Sequence, residues 1–158
     1  MTTMTPGTPR GAYFAALVRY ETELWDAVDT FLTTAPGGIS LARFEVLRVV
    51  DDAGPACRVS DIVAELRITV GAVSKFVDRL QADGLVDRRP NPNDGRSMLI
   101  TLTEPGSERL ATARIVFEAA LSELVPESDD AVIRLTDSLR SMREVLSDLG
   151  AVPSDTME

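Results

Sequence analysis

Histidine is absent from this 158-residue chain, and cysteine occurs once, at Cys57. Without imidazole, the commonest zinc ligand and the commonest general base near neutral pH are missing. One thiol can neither close an internal disulfide nor supply a metal cluster, so no metal and no cofactor are expected. No apolar run approaches the roughly 18 residues that cross a bilayer. The start, MTTMTPGTPR, has neither the cationic head nor the apolar stretch of a signal peptide. A cytoplasmic protein with no membrane partner is therefore expected. Also missing are a nucleotide loop and a nucleophile beside a base. The acid pairs Asp51-Asp52 and Asp129-Asp130 are neighbours in sequence whose side chains point apart, and the second pair suits a helix N-terminus. No catalytic residue is assigned, and an enzyme is the weaker reading.

What is present fits one compact structural domain: 44% apolar and 26% charged residues, with a net charge of -9. The charge is uneven. Residues 58–96 carry seven Lys/Arg against six acids, whereas residues 1–57 and 97–158 are net negative by 3 and 7. Only the middle of the chain can offer a basic face to a polyanion.

Periodicity gives a mainly α protein with a small β-hairpin (α+β). Residues 1–10 and 151–158 read as disordered tails. A first helix, within residues 11–38, carries Phe14, Leu17 and Leu24 and stops at APGG. Ser40 caps a second helix with Leu41, Phe44 and Leu47 inward, ending at the turn Asp51 to Pro55. Residues 57–59 fit a short extended piece. Ser60 is expected to cap a third helix to about Leu66, and Thr69 a fourth from Val70 to about Asp83, stopped by Gly84. Two short helices joined by about three residues outline a helix-turn-helix. Leu85–Arg89 and Met98–Thr103 read as strands, and PNPNDG between them as a long tip in which Gly95 takes φ > 0. A helix over Thr103 to Leu124 breaks near Pro126. The last helix spaces Val132, Leu135, Leu139, Met142 and Leu146 three or four apart, an apolar edge suited to a second copy.

Val73, Val77 and Leu80 must face the core, which turns Thr69, Gly71, Ala72, Ser74 and Lys75 outward, with Arg79 a turn further on. Small and polar residues there let a backbone approach a groove while a few side chains reach bases or phosphates. The same face also fits an ordinary solvated helix. Arg88, Arg89 and Arg96 flank the hairpin, where guanidinium forks suit phosphates or a narrow minor groove. Asp94, two residues before Arg96, can hold that guanidinium by an ion pair. Cys57 beside Arg58 can be read as a thiol of lowered pKa, open to oxidation, or as a small buried filler. A winged helix used for protein contacts would need an apolar outer face on the fourth helix, and the sequence offers Gly, Ala, Ser and Lys.

The stretch VSDIVAELRITVGAVSKFVDRLQADGLVDRRPNPNDGRSMLITLTEPG resembles the core of the MarR family of bacterial transcription regulators, including Asp94-Gly95-Arg96 in the wing and the LTEPG that follows. The resemblance covers roughly residues 40–106 by motif and 11–150 by order of elements. It implies a winged helix-turn-helix at residues 39–103, flanked by dimerisation helices at 11–38 and 104–150. It also implies a homodimer reading a pseudo-palindromic operator in double-stranded DNA, with repression as the expected outcome. Phe14, Leu17 and Leu24 would then meet the last helix at the interface. Any small-molecule effector is expected to be apolar or phenolic and to bind near Tyr13, Tyr20, Trp25, Arg43 and Phe44. One position departs from the pattern: Arg67 stands where such turns often carry glycine. Either the backbone there does not need φ > 0, or strain is accepted and the arginine adds a phosphate contact.

Overall fold

The computed structural model describes residues 8–125 and 128–150. In chain order they form α1 (Pro9–Thr34), α2 (Leu41–Ala53), a 3-10 turn (Gly54–Ala56), α3 (Val59–Leu66), α4 (Val70–Ala82), β1 (Val86–Asn91), β2 (Asp94–Leu102), α5 (Glu104–Leu124) and α6 (Asp129–Asp148). Two compact units divide the chain between Leu124 and Val125. In the first, α2 is the hub, packed against α1, α3, α4, α5 and β2. Its buried Phe44 stacks on Phe117 of α5 with ring centroids 4.9 Å apart, and Leu47 and Val50 join Ile62, Val73, Val77 and Leu80 in one aliphatic core. In the second unit, α6 is capped by Ser128, whose Oγ accepts the Ala131 N–H, and begins with two acids beside the positive end of its dipole.

Several local expectations are corrected. The expected tails lie outside the described residues except for Thr8, Pro9 and Arg10, and the last two are helical. Thr8 Oγ1 accepts the Gly11 N–H at 3.2 Å, and Pro9 occupies a position where a missing N–H leaves nothing unpaired. The break at Pro126 lies outside the described residues as well. α2 runs to Ala53, three residues past Val50, because Asp51 and Asp52 face solvent and nothing opposes the helix until Gly54. Ser60 does not cap α3. The cap position is Arg58, whose N–H donates to Asp61 Oδ2 at 2.7 Å, so the acid reaches back from the first turn. Residues 57–59 form no strand, although Cys57 O accepts the Ile100 N–H at 2.8 Å.

The hairpin differs most. β1 and β2 pair from Val86↔Leu102 to Pro90↔Met98, and an irregularity between Pro90 and Asn91 brings Asn91 opposite Asp94. The tip is therefore a two-residue turn at Pro92 and Asn93, and Gly95 sits in β2 without a positive φ. Asn91, 5% exposed, explains the tightness. Its Oδ1 accepts the Asn93 N–H at 3.0 Å and its Nδ2 donates to Ser97 Oγ at 2.9 Å. One side chain thus pins both sides of the turn.

Cys57 is fully buried, which selects the filler reading over the redox one. Burial, with the Asp61 charge adding to it, pushes its pKa up from 9.0 to about 11, so the adjacent arginine does not make a thiolate. Because the folded pKa is the higher one, the stabilisation from this group is complete below pH 9 and is lost as pH rises toward 11. At pH 8 the native thiol is expected to react with iodoacetamide about 100-fold more slowly than in urea, roughly the ratio of thiolate fractions. Equal rates would show that the thiol is not held in the core.

Where α5 begins, Gly106 leaves no room for a side chain: a Cβ there would stand 1.9 Å from Leu85 O. Gly106→Ala is therefore expected to lower stability by about 1–3 kcal/mol in urea unfolding, since backbone must move to admit one methyl. An unchanged midpoint would show that α5 does not lean on the Leu85 carbonyl here.

Candidate nucleic-acid interface

Val73, Val77 and Leu80 are fully buried and anchor α4. That fixes its outer face. Thr69, Gly71, Lys75, Asp78 and Arg79 are exposed, while Ala72 and Ser74 are half-buried at its margins. Thr69 also caps the helix, its Oγ1 accepting the Ala72 N–H at 3.2 Å. A Cβ on Gly71 would meet nothing within 4 Å, so packing inside the protein gives no reason for glycine in this helix.

The turn before α4 resolves the question about Arg67. It has φ 55° and ψ 35°, the left-handed region, and its N–H closes α3 onto Val63 O at 2.9 Å. The turn does require a positive φ, and a side chain there costs about 1–2 kcal/mol. Arg67 is exposed beside the start of α4.

The wing places its three arginines differently. Arg89 and Arg96 are exposed, whereas Arg88 is half-buried with Nη1 2.6 Å from Asp78 Oδ1 of α4. Among the described residues, Lys75, Arg79, Arg89 and Arg96 enter no ion pair. Asp94 does not pair with the Arg96 guanidinium as expected. Its Oδ1 accepts the Arg96 backbone N–H at 3.1 Å, which shapes the strand and leaves the fork outward. Asp78, Asn91 and Ser97 are contributors that sequence reasoning missed. An Asn beside the turn prolines was visible as turn chemistry, but the Asp78 contact joins distant segments and had no local signal.

The remaining candidates lie in different environments. Phe44 is sealed in the core, Arg43 pairs with Asp83, and Tyr13, Tyr20 and Trp25 stand exposed on α1. An open groove of about 360 Å³ instead lies between the α1–α2 loop, Asp83, Leu85 and the first turns of α5, and none of the five lines it. Among the residues assigned to dimerisation, Phe14, Leu17, Leu135, Leu139, Met142 and Leu146 are exposed, Val132 is half-buried, and Leu24 packs partly against the core. No helix among the described residues is long and apolar enough to cross a membrane.

Similarity to known proteins converges on this arrangement. The MarR family model matches residues 37–97, from the loop before α2 into β2 of the wing. The HTH-type transcriptional regulator YdgJ of Bacillus subtilis is 30% identical over 115 residues, covering 72% of this chain and 70% of YdgJ. The multiple antibiotic resistance protein MarR of Escherichia coli is 37% identical over 73 residues, 46% of this chain, so the match spans half the length of that relative. The transcriptional repressor CouR, solved bound to a 23-mer DNA duplex, superposes with a TM-score of 0.74 at 26% identity, covering 90% of this chain and 99% of that one. CouR of Rhodococcus jostii RHA1 bound to p-coumaroyl-CoA superposes at 0.71 with 26% identity, covering 80% and 88%. With helix-turn-helix, wing and flanking helices all accounted for in sequence and in fold, the chain belongs to the MarR family of transcriptional regulators.

Proposed function

We propose that this protein is a homodimeric, sequence-specific DNA-binding repressor. The observation that carries the reading is the outer face of α4: small residues around Gly71, with the unpaired cations Lys75 and Arg79 beside it and Arg89 and Arg96 on the adjacent wing. α4 would enter the major groove with Thr69, Gly71, Ala72, Ser74 and Lys75 toward base edges and phosphates. Arg67 would contact the backbone beside it. Arg89 and Arg96 would reach phosphates or the neighbouring minor groove. The DNA-bound form of CouR supports this docking.

In this reading residues 39–103 read DNA, while α1 and the helices of residues 104–150 form the dimer frame. Two copies are needed because one head makes few contacts, and the frame sets the half-site spacing at about 34 Å. An effector would act by shifting that frame. The CouR complex with p-coumaroyl-CoA supports an effector with a phenolic part, and in this reading it would bind near Tyr13, Tyr20, Trp25, Arg43 and Phe44. A repressor of this kind works on the chromosome, in the cytoplasm.

Arg96→Ala is expected to weaken binding to a duplex selected from a random pool by about 1–3 kcal/mol per half-site, with a shallower dependence on salt. Unchanged affinity and slope in anisotropy titrations would remove the wing from the interface. Replacing Leu139 and Leu146 together with Glu is expected to give monomers in sedimentation at micromolar concentration, since two charges would enter the apolar edge. A double variant still sedimenting as a dimer would refute the assignment of α6 to the interface.

A further inference from the structure

The outer face of α4 holds an acid where a polyanion is expected. Asp78 follows Ser74 by four residues and Lys75 by three, so all three lie along one side of the helix. An uncompensated carboxylate there would repel phosphates. Arg88 compensates it, reaching out of β1 to within 2.6 Å. Arg88 keeps only 25% of its side chain exposed, against 61% for Asp78, so its fork is held down on the helix and not raised toward solvent. Arg89, the next residue, points to the other face of the strand by simple alternation, is exposed, and meets no acid among the described residues.

Two consecutive arginines of one wing therefore have different electrostatic fates. We propose that Asp78 and Arg88 form a latch between recognition helix and wing, in which Arg88 is a positioning residue and not a phosphate contact, and Asp78 is a specificity determinant. By holding Arg88 down, Asp78 fixes the angle at which the wing leaves α4. It also withholds one cation per protomer from the sequence-independent, salt-driven part of binding. The proposal rests on the DNA-binding reading above and adds roles that reading does not require.

The test compares full-length Arg88→Gln, Arg88→Lys, Asp78→Asn and Arg96→Gln on a pool-selected duplex and on a scrambled one, across a range of salt. Circular dichroism melts confirm that each variant is folded. Arg96→Gln should reduce the slope of log affinity against log salt by about one per half-site. Arg88→Gln should lose about two- to fivefold per half-site with the slope unchanged, and Arg88→Lys, which keeps the pair, should stay near the parent. Asp78→Asn should bind the scrambled duplex more tightly with a steeper slope, so that preference for the selected duplex falls. The latch is overturned if Arg88→Gln flattens the slope as Arg96→Gln does, which would make Arg88 a phosphate contact. It is equally overturned if Asp78→Asn weakens both duplexes alike at the parent slope, the mark of a merely structural pair. If the parent protein binds no duplex from the pool in preference to the scrambled one at any salt, the DNA-binding reading itself fails.

Discussion

The fourth helix, the wing and α5 are all positioned by the contact of Thr103 and Gly106 with the chain at Gly84 and Leu85. Gly84, at φ 71°, turns the chain out of α4, and the Leu85 N–H returns to Leu80 O at 2.9 Å. Thr103 Oγ1 donates to Gly84 O at 2.6 Å and accepts the Gly106 N–H at 3.0 Å, while the Thr103 N–H donates to Leu85 O at 3.1 Å. One threonine thus satisfies the end of α4, the start of β1 and the first turn of α5 together. Because Gly106 brings α5 against the Leu85 carbonyl, a rotation of α5 must move the base of the wing and the end of α4 with it.

The charges are distributed to the same end. On the flank where α2 meets α3 and α5, cations are matched to acids. Arg48 sits among Glu45 at 2.8 Å, Asp52 at 3.0 Å and Glu65 at 3.7 Å, and the hydrogen bond it donates to Glu45 leads in raising its pKa. Arg114 of α5 reaches Asp51 at 3.0 Å and Asp52 at 3.7 Å. All these groups are partly exposed, so each pair adds little stability in water. Their effect is on the field: they join α3, α2 and α5 while cancelling charge on that flank, and unmatched cations remain on α4 and the wing. A net charge of -9 is then compatible with binding a polyanion at the head, where α4 and the wing carry exposed cations that enter no ion pair among the described residues.

How far the sequence revealed this depended on whether each feature was local. Helices with a strong apolar period and a good cap, such as α2 behind Ser40 and α4 behind Thr69, were legible to within a few residues. So was the buried triad of α4, and with it the exposed face. The N-terminus of α3 was misread because Ser60 looked like the better cap, while Asp61 reaches back to the Arg58 N–H without a polar residue being needed at the cap position. The wing tip was misread because Gly95 was credited with the turn that the buried Asn91 makes. At Arg67 sequence left two alternatives, and only the backbone could choose: the turn takes the left-handed conformation with an arginine in place. The Asp78–Arg88 pair was illegible on principle, since ten residues and a turn separate partners whose approach follows from the packing of β1 on α4.

The exposed apolar residues set a last constraint. α6 carries Leu135, Leu139, Met142 and Leu146 along one side, and none of its residues is buried. A helix of 20 residues gains most of its stability from packing such a face, not from intrinsic propensity. Phe14 on α1, 67% exposed, raises the same demand at the other end of the chain. If a second copy meets it, as proposed, then order in the frame and pairing of the heads are one equilibrium, and anything that favours one arrangement of the frame must favour one spacing of the heads. Within each head the Gly84–Thr103 junction permits little independent adjustment. A shift of frame would therefore reach DNA as a change in the separation of two rigid readers, with each reader's own contacts left intact.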